Sequence, residues 1–300
     1  MSYNDTMTTR AAFSRYEAIR HRMPSAQFPD TSTNCSGLLE LANKYDAFVL
    51  DSFGVLNVGD RAIPGAPECL EALRQQGKLL IVLTNAASYT HAKALERYHR
   101  LGFDFAPHEV VSSRDVAVAR LDLVAPTIRW GAIAAREDQF QDMNGGIIHW
   151  DGTEDVDGFL LLSSSAFDDE ALASLASALR GRNRPVVVAN PDLVAPRETG
   201  LSKEPGYFAH ELADALGIDP IFFGKPYPAA FEDALSRLPG VARSRIAMVG
   251  DTLHTNILGG QSCGLDTVLV ENYGLFAGED VEKYISDSGI VPTYRCQGIA

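Results

Sequence analysis

The chain has 300 residues, of which 46% are hydrophobic and 22% are charged, and its formal net charge is −13. This composition is typical of an ordinary globular protein with one large or two modest domains. The acidic balance argues against a nucleic-acid partner, which would need a basic surface, but not against an anionic substrate, because the local charge of a site can oppose the global charge. No apolar run approaches the roughly 18 residues of a membrane span, so no membrane partner is expected.

The cysteine spacing and the N-terminal residues bear on the cellular compartment of the protein. The four cysteines are widely spaced and form no Cys-x-x-Cys pair: Cys35, Cys69, Cys263 and Cys296. They predict reduced thiols and no zinc site. The N-terminus carries charges and lacks the apolar core of a signal peptide, so a cytoplasmic location is expected.

The first predicted unit is an N-terminal extension, residues 1–36. It is polar and irregular except for one stretch, 11–23, in which Phe13, Tyr16, Ile19 and Met23 recur at roughly helical spacing. Such spacing favours an ordered helix with a packed apolar face, while the sequence leaves open a disordered tail, an arm on the core or a dimer contact.

Strands and helices alternate from residue 37 onward. In residues 37–113, a strand ends at Asp51, Pro64–Gly65 opens a helix, the strand 79–83 follows, and Ser88 is the predicted N-cap of a helix that ends near Gly102. Alternation of this kind, with strands that are apolar throughout, predicts a parallel sheet covered by helices on both faces.

The middle of the chain repeats this pattern on a smaller scale. Residues 114–220 contain predicted strands at 130–134, 147–150, 158–162 and 185–189 and a helix at 169–179. Residues 221–300 return to the first unit, with strands at 221–223, 246–249 and 267–270 and helices at 229–238 and 255–263. The predicted fold is therefore α/β: a doubly wound parallel-sheet core in two parts with a smaller α/β cap domain, 114–220, between them.

Polar residues follow several of the core strands directly. Asp51, Thr84 and Asp251 each end an apolar run, and Lys225 follows a further short one. Because parallel strands of a doubly wound sheet end at one edge, where such folds bind ligands, these four side chains are expected to lie together. Two carboxylates, a hydroxyl and an ammonium suit a metal ion and a phosphoryl group.

The segments that carry these residues resemble the haloacid dehalogenase (HAD) superfamily, and more narrowly its class IIA phosphatases. The resemblance spans about residues 41–275 and rests on five segments in order: DSFGVL, LTNAA, ANPDLV, FGKPYP and VGDTLHTNILGG. It implies a Mg²⁺-dependent hydrolase of a small phosphorylated metabolite. The resemblance also implies a homodimer that pairs through its caps.

Site roles follow from the resemblance position by position. Asp51 is the implied nucleophile that forms an aspartyl-phosphate, and Lys225 the implied catalytic cation. Phosphate or substrate binding is implied for Thr84, Asn85, Asn190 and Asp192. The implied Mg²⁺ ligands are Asp51, the carbonyl of Phe53, Asp251 and Asn256.

Two positions depart from the family pattern. Phe53 stands where the family has the aspartic acid that protonates the leaving group, and Asn256 stands where it has another aspartate. The loss of a general acid is expected to lower turnover of alkyl phosphates by about 10²–10⁴-fold. The loss of the Asn256 charge predicts weaker Mg²⁺ binding.

Four interpretations of these departures remain open. The enzyme acts on esters with good leaving groups, or another residue supplies the proton; His254 is the nearest histidine in sequence, although a surface position on a helix is predicted for it. A third interpretation is a protein that binds a phosphorylated metabolite with little catalysis. The fourth is a dehalogenase, which the layout disfavours, because the long insert lies between Asn85 and Lys225 and not between Asp51 and Thr84.

Overall fold

The computed structural model describes residues 7–126, 128–197 and 200–300. The strands, in chain order, are β1 Thr33–Asn34, β2 Ala47–Leu50, β3 Asn57–Val58, β4 Arg61–Ala62, β5 Leu79–Thr84, β6 Val110–Ser112, β7 Trp130–Ile133, β8 Ile147–His149, β9 Gly158–Leu161, β10 Val186–Val188, β11 Val194–Arg197, β12 Gly200–Lys203, β13 Ile221–Phe222, β14 Ile246–Gly250, β15 Asp266–Val270 and β16 Tyr294–Cys296.

The α-helices are α1 Thr9–Ala18, α2 Leu38–Leu41, α3 Ala66–Gln75, α4 His91–Arg100, α5 Ser113–Val118, α6 Leu121–Val124, α7 Asp169–Leu179, α8 Pro205–Leu216, α9 Pro228–Ser236, α10 Leu258–Ser262 and α11 Val281–Ser288. A π-helical turn, Leu253–Ile257, leads directly into α10. No helix in these ranges has both the length and the apolar character that a membrane span requires.

Two parallel sheets organise these elements. The first has seven strands in the order β1-β16-β15-β14-β2-β5-β6, and all of its strand pairs are parallel. The second has five, in the order β13-β10-β9-β7-β8, and is parallel throughout. The predicted α/β fold class, a doubly wound core with a smaller α/β unit, is confirmed.

The apolar strands are buried on both faces of the first sheet. In β2, Phe48 and Leu50 face one buried cluster while Ala47 and Val49 face another. The second cluster also contains Leu160 and other residues of the second sheet, so a single apolar cluster packs between the two sheets. Alternating side chains of a strand point to opposite faces, which explains why a strand covered on both sides is apolar at every position.

One predicted strand belongs to the other sheet. The sequence analysis assigns 221–223 to the core, but Ile221 and Phe222 pair with Val187 and Val188 at the edge of the second sheet. This assignment is wrong because so short an apolar run carries no information about which neighbour it pairs with. The cap limits 114–220 stay a prediction. The edge strand β13 of the second sheet begins one residue beyond them.

The helix predicted after Ser88 begins two residues later. Thr90 is the N-cap of α4, and its hydroxyl accepts a hydrogen bond from the Lys93 N–H. Ser88 instead donates to the carbonyl of Leu162 in the second sheet. The cap prediction at Ser88 is therefore wrong, because serine and threonine are both suitable caps and the sequence does not choose between them.

An ordered helix forms in the N-terminal extension, as the periodicity predicts, although α1 ends at Ala18, before the predicted limit at 23, and it packs on both parts of the protein. Phe13, Tyr16 and Ile19 are buried in a cluster with the π-helical turn, α11 and Leu193. The Tyr16 hydroxyl accepts a 3.0 Å hydrogen bond from the Leu193 N–H. On its outer side, Arg15 pairs with Asp214 of α8. Helix α1 thus joins the π-helical turn of the core to the loop that follows β10.

Replacement of Tyr16 by phenylalanine is expected to destabilise the fold by about 1–3 kcal/mol, because it leaves the buried N–H of Leu193 without an acceptor. Urea unfolding followed by circular dichroism measures the loss. Tyr89→Phe is the matched control, since Tyr89 is exposed. Equal unfolding midpoints for Tyr16→Phe and the unmodified protein would show that this hydrogen bond contributes nothing to stability.

Candidate active site

The predicted site residues meet at the carboxyl edge of the first sheet. Asp51 follows β2, Thr84 ends β5, and Asp251 follows β14, which pairs directly with β2. Asp51, Thr84 and Asp251 line one pocket together with Asn190 and Asp192 from the loop after β10. The prediction that these strand ends bring the polar residues together is thus met in the structure.

Asp51 is held by three donors. Its Oδ1 lies 2.5 Å from the Lys225 Nζ and accepts the N–H of Ser52 at 2.6 Å. Its Oδ2 accepts a 2.7 Å hydrogen bond from the Asn256 amide. These contacts fix the carboxylate and orient it at the pocket.

Lys225 is almost fully buried, with 1% of its surface exposed. Besides Asp51, its ammonium donates to the carbonyl of Leu83 at 2.6 Å. A buried ammonium is tolerated because both contacts are charge-assisted hydrogen bonds. Lys225 therefore supplies a positive charge between the ends of β2 and β5.

Asp251 is the second carboxylate of the site. Its Oδ1 accepts from the Thr252 hydroxyl and its Oδ2 accepts the N–H of Leu275 at 2.8 Å. Burial, and then the nearby charge of Asp51, raise the pKa of Asp251 to about 7. A buried carboxylate beside another one is costly unless a cation balances the pair.

Glycines let the backbone press closely on Asp251. A Cβ on Gly54 would lie 2.8 Å from the Asp251 carboxyl, and Gly54 has a φ of +78° that other residues adopt only with strain. A Cβ on Gly274 would lie 2.0 Å from the Asp251 Oδ2. This close approach fixes the carboxylate and makes room for the hydrogen bond from Leu275.

The donor set fits Mg²⁺. Two carboxylates, Asp51 and Asp251, face one pocket, and Mg²⁺ is characteristically held by one or two carboxylates, with phosphate and water completing its shell. No group of three or more His, Cys, Asp or Glu residues that could hold a metal occurs in the described ranges. An all-protein metal cage is therefore not present there, whereas a shared protein–substrate site remains compatible with the residues found.

Asn256 occupies a different position from that of a metal ligand. Its Oδ1 accepts the N–H of Thr252 at 3.0 Å, which turns its amide nitrogen toward Asp51. A Cβ on Gly250 would lie 2.1 Å from the Asn256 Cγ, so the side chain fits tightly against the end of β14. In this arrangement Asn256 donates to the proposed nucleophile and presents no oxygen to a cation, contrary to the predicted ligand role.

The amides predicted to bind phosphate are engaged with the protein. The Asn85 side chain accepts the N–H of Lys225 at 2.7 Å and donates to Asp192 Oδ1 at 2.8 Å. The Asn190 side chain accepts the N–H of Asp192 and donates to Glu204. Asn85 therefore links the end of β5 to the loop after β10, whereas Asn190 fixes that loop to the residue before α8, and both side chains are already paired.

The ring of Phe53 is close to two arginine guanidinium groups. Its ring is 5.0 Å from the Arg97 guanidinium of α4 and 5.3 Å from the Arg197 guanidinium of β11. Cations over an aromatic face are attracted to it electrostatically. Phe53 thus forms an apolar wall of the pocket and helps to hold β11 against the core.

His254 is buried, which contradicts the predicted surface position. It has no exposed surface, stacks on Tyr16 with ring centroids 4.9 Å apart, and its Nε2 lies 2.5 Å from Glu17 Oε1. Burial lowers its pKa, while the hydrogen bond with Glu17 opposes that change. The prediction failed because the sequence did not reveal that α1 covers the π-helical turn.

Sequence reasoning did not find Arg197 and Glu204. Both line the pocket and pair with each other at 2.9 Å. Arg197 is the last residue of β11, in the antiparallel ribbon β11–β12, and Glu204 directly precedes α8. Neither residue belongs to a recognisable sequence motif. Only the folded structure shows that these two residues line the pocket.

Comparisons with known proteins agree with this geometry. A family model described as haloacid dehalogenase-like hydrolase matches residues 48–136, and a second, described as HAD-hydrolase-like, matches residues 222–296. Chronophin of Bos taurus is 30% identical over 282 residues, which is 88% of this chain and 94% of chronophin.

Two solved structures are also similar. A possible sugar phosphatase of the HAD superfamily from Cytophaga hutchinsonii has a TM-score of 0.77 and 29% identity, and covers 89% of this chain and 99% of its own. A glycerol phosphate phosphatase of Mycobacterium tuberculosis, in complex with magnesium, has a TM-score of 0.69 and 26% identity, with coverage of 86% and 76%. The chain belongs to the haloacid dehalogenase-like hydrolases. The predicted superfamily and the prediction of a hydrolase are confirmed.

Proposed function

We propose that this protein is a Mg²⁺-dependent phosphatase that hydrolyses a small phosphate monoester through an aspartyl-phosphate on Asp51. The observation that carries the proposal is the buried ion pair of Asp51 with Lys225, with Asp251 at the end of the neighbouring strand in the same pocket. The two similar structures named as phosphatases support the reaction class, and the magnesium complex of one of them supports the metal.

Each residue has a definite role in this reaction. The Asp51 carboxylate attacks phosphorus while Lys225 and Asn256 keep it oriented. The Lys225 ammonium offsets the repulsion between Asp51 and the phosphoryl oxygens. Asp51, Asp251 and the Phe53 carbonyl are the proposed Mg²⁺ ligands, and a bound Mg²⁺ supplies neutralising charge to the phosphoryl oxygens.

Thr84 is the proposed phosphate donor. Its hydroxyl is buried at the end of β5, lines the pocket and accepts the N–H of Ala86 at 3.2 Å, and as a hydroxyl it can also donate to a phosphoryl oxygen. Asp192 is close to the substrate in the same pocket, whereas Asn85 and Asn190 act by fixing its loop. Dimer formation stays a prediction, which sedimentation at micromolar concentration tests.

Hydrolysis of p-nitrophenyl phosphate with Mg²⁺ and with EDTA tests the proposal. Activity that requires Mg²⁺ is expected, because the Asp51 and Asp251 carboxylates otherwise repel the phosphate. Activity that is unchanged in EDTA would contradict the metal role. The replacement of the usual acid by Phe53 favours a second candidate, a protein that binds a phosphate ester without turnover, and a ligand that raises the melting temperature but stays intact for hours would support it.

A further inference from the structure

The proposed reaction lacks a proton donor at the position where the family has one. Phe53 fills that position, and its ring is held by two guanidinium groups. A leaving alcohol is a strong base and must be protonated as it departs. Among the described residues, the carboxyl groups that line the pocket and could donate this proton are those of Asp51, Asp192, Asp251 and Glu204.

Three of these carboxyl groups are committed to other contacts. Asp51 is paired with Lys225, and Asp251 accepts hydrogen bonds at both oxygens. Glu204 accepts from Asn190 at one oxygen and from Arg197 and Ser202 at the other. Asp251 is also a proposed Mg²⁺ ligand, so none of the three groups has an oxygen that is free to carry a proton to the leaving group.

Asp192 is held differently. Its one side-chain hydrogen bond in the described structure comes from Asn85 and uses Oδ1, at 2.8 Å, so that Oδ2 is left for a proton. Its main-chain N–H is fixed by Asn190. Burial raises the pKa of Asp192 to about 8, against the opposing charge of Lys225 and with a further contribution from Asp51. The raised pKa favours the protonated form of this carboxyl group near neutral pH.

The location of Asp192 suits a donor to the leaving group. Asp51 ends a strand of the first sheet, whereas Asp192 lies on the loop after β10 of the second sheet, and both line the same pocket. In phosphoryl transfer the nucleophile and the leaving group lie roughly in line on opposite sides of phosphorus. The loop after β10 brings a carboxyl group into the pocket from a wall other than the one that carries Asp51, and this wall can face a leaving group that departs opposite the nucleophile.

We propose that Asp192 is the catalytic acid that protonates the leaving oxygen, in place of the residue that Phe53 replaces. This inference rests on the proposed phosphatase function. It assigns the substrate to the phosphate monoesters of alcohols, because these are the esters that need a proton donor.

The proton balance is complete without any further reagent. In the first step the Asp51 oxygen bonds to phosphorus, the bond from phosphorus to the ester oxygen breaks, and the Asp192 proton moves to that oxygen. The products are the free alcohol, an aspartyl-phosphate and the Asp192 carboxylate. In the second step a water molecule attacks phosphorus and gives its proton to Asp192, the bond to Asp51 breaks, and inorganic phosphate leaves.

Turnover of the Asp192→Asn variant on a leaving-group series tests this assignment. The probes are p-nitrophenyl phosphate, phenyl phosphate and glycerol 1-phosphate, assayed with Mg²⁺. We expect kcat for glycerol 1-phosphate to fall by about 10²–10⁴-fold, and kcat for p-nitrophenyl phosphate by less than about tenfold, because a good leaving group needs no proton. The asparagine retains an acceptor for Asn85, so the loop geometry is preserved.

Glu204→Gln is the matched control, since it also changes a carboxyl group of the pocket to an amide and is expected to affect all three esters alike. An equal loss on all esters in Asp192→Asn would overturn the assignment and show that Asp192 only positions the loop. A wild-type protein that hydrolyses p-nitrophenyl phosphate but not glycerol 1-phosphate would also overturn it, because no acid would then be at work. Hydrolysis of neither ester would refute the proposed function itself, and this assignment with it.

The wild-type protein provides a second measurement that does not depend on how the variant folds. The charged and titratable groups that act on Asp192 are Lys225, Asp51, Asp251 and Tyr16. If Asp192 donates a proton, kcat for glycerol 1-phosphate falls about tenfold per pH unit above the pKa of the acid, whereas kcat for p-nitrophenyl phosphate does not fall with it. Parallel pH profiles for the two esters would overturn the proposal.

Discussion

Asp51→Asn is expected to lower the turnover of p-nitrophenyl phosphate by about 10⁴-fold or more, the range found when a catalytic nucleophile is removed. The neutral amide cannot form the aspartyl-phosphate, and it also gives up the charge that pairs with Lys225 at 2.5 Å. Steady-state kinetics at saturating Mg²⁺ measures the loss.

The matched control is Asp46→Asn. Asp46 lies just before the other end of the same strand, where it forms a half-exposed pair with Arg245. Surface pairs of this kind contribute little, so turnover within about twofold of the unmodified protein is expected. Retention of more than about 1% of the activity in Asp51→Asn would show that another residue attacks phosphorus.

Asp251→Asn is expected to raise the Mg²⁺ concentration for half-maximal activity by at least about tenfold, because it removes one of two carboxylate ligands. Titration of activity with MgCl₂ measures this change. An unaltered Mg²⁺ requirement would exclude Asp251 from the metal site.

The effect of Asp251 on folding stability can be measured separately from its role in metal binding, by unfolding the protein in EDTA. Burial raises the pKa of Asp251 from its ordinary value of 3.8 to about 7, so the folded protein binds more protons than the unfolded chain between these two values. In EDTA, Asp251 therefore stabilises the protonated fold at low pH and reduces the free energy of unfolding as the pH rises from about 4 to 7, by at most about 1.4 kcal/mol per pH unit.

Asp251→Asn should remove this contribution, so that its free energy of unfolding depends less on pH over that range. Urea unfolding in EDTA at several pH values compares the two proteins. A steeper decline in the variant would contradict the raised pKa.

Local sequence patterns were sufficient to predict four strands of the first sheet, β2, β5, β14 and β15, and the positions of three site residues. Asp51, Thr84 and Asp251 each follow a strand that is apolar at every position, and this pattern arises because a parallel sheet is covered on both faces and its strands end at one edge. At these positions the fold requires an apolar strand followed by a polar residue at the sheet edge, and this requirement is visible in the local sequence. The three residues could therefore be predicted from the sequence alone.

Contacts between distant segments became known only from the folded chain. The pairing of Ile221 with Val187, the burial of His254 under α1, and the hydrogen bond from Asn85 to Asp192 all join parts of the chain that no local pattern relates. A short apolar run can pair with either sheet, and a histidine on a helix is exposed or buried according to what covers it. The environment of Asp192 depends on such contacts, because its pKa is raised by burial between two sheets and not by its neighbours in sequence.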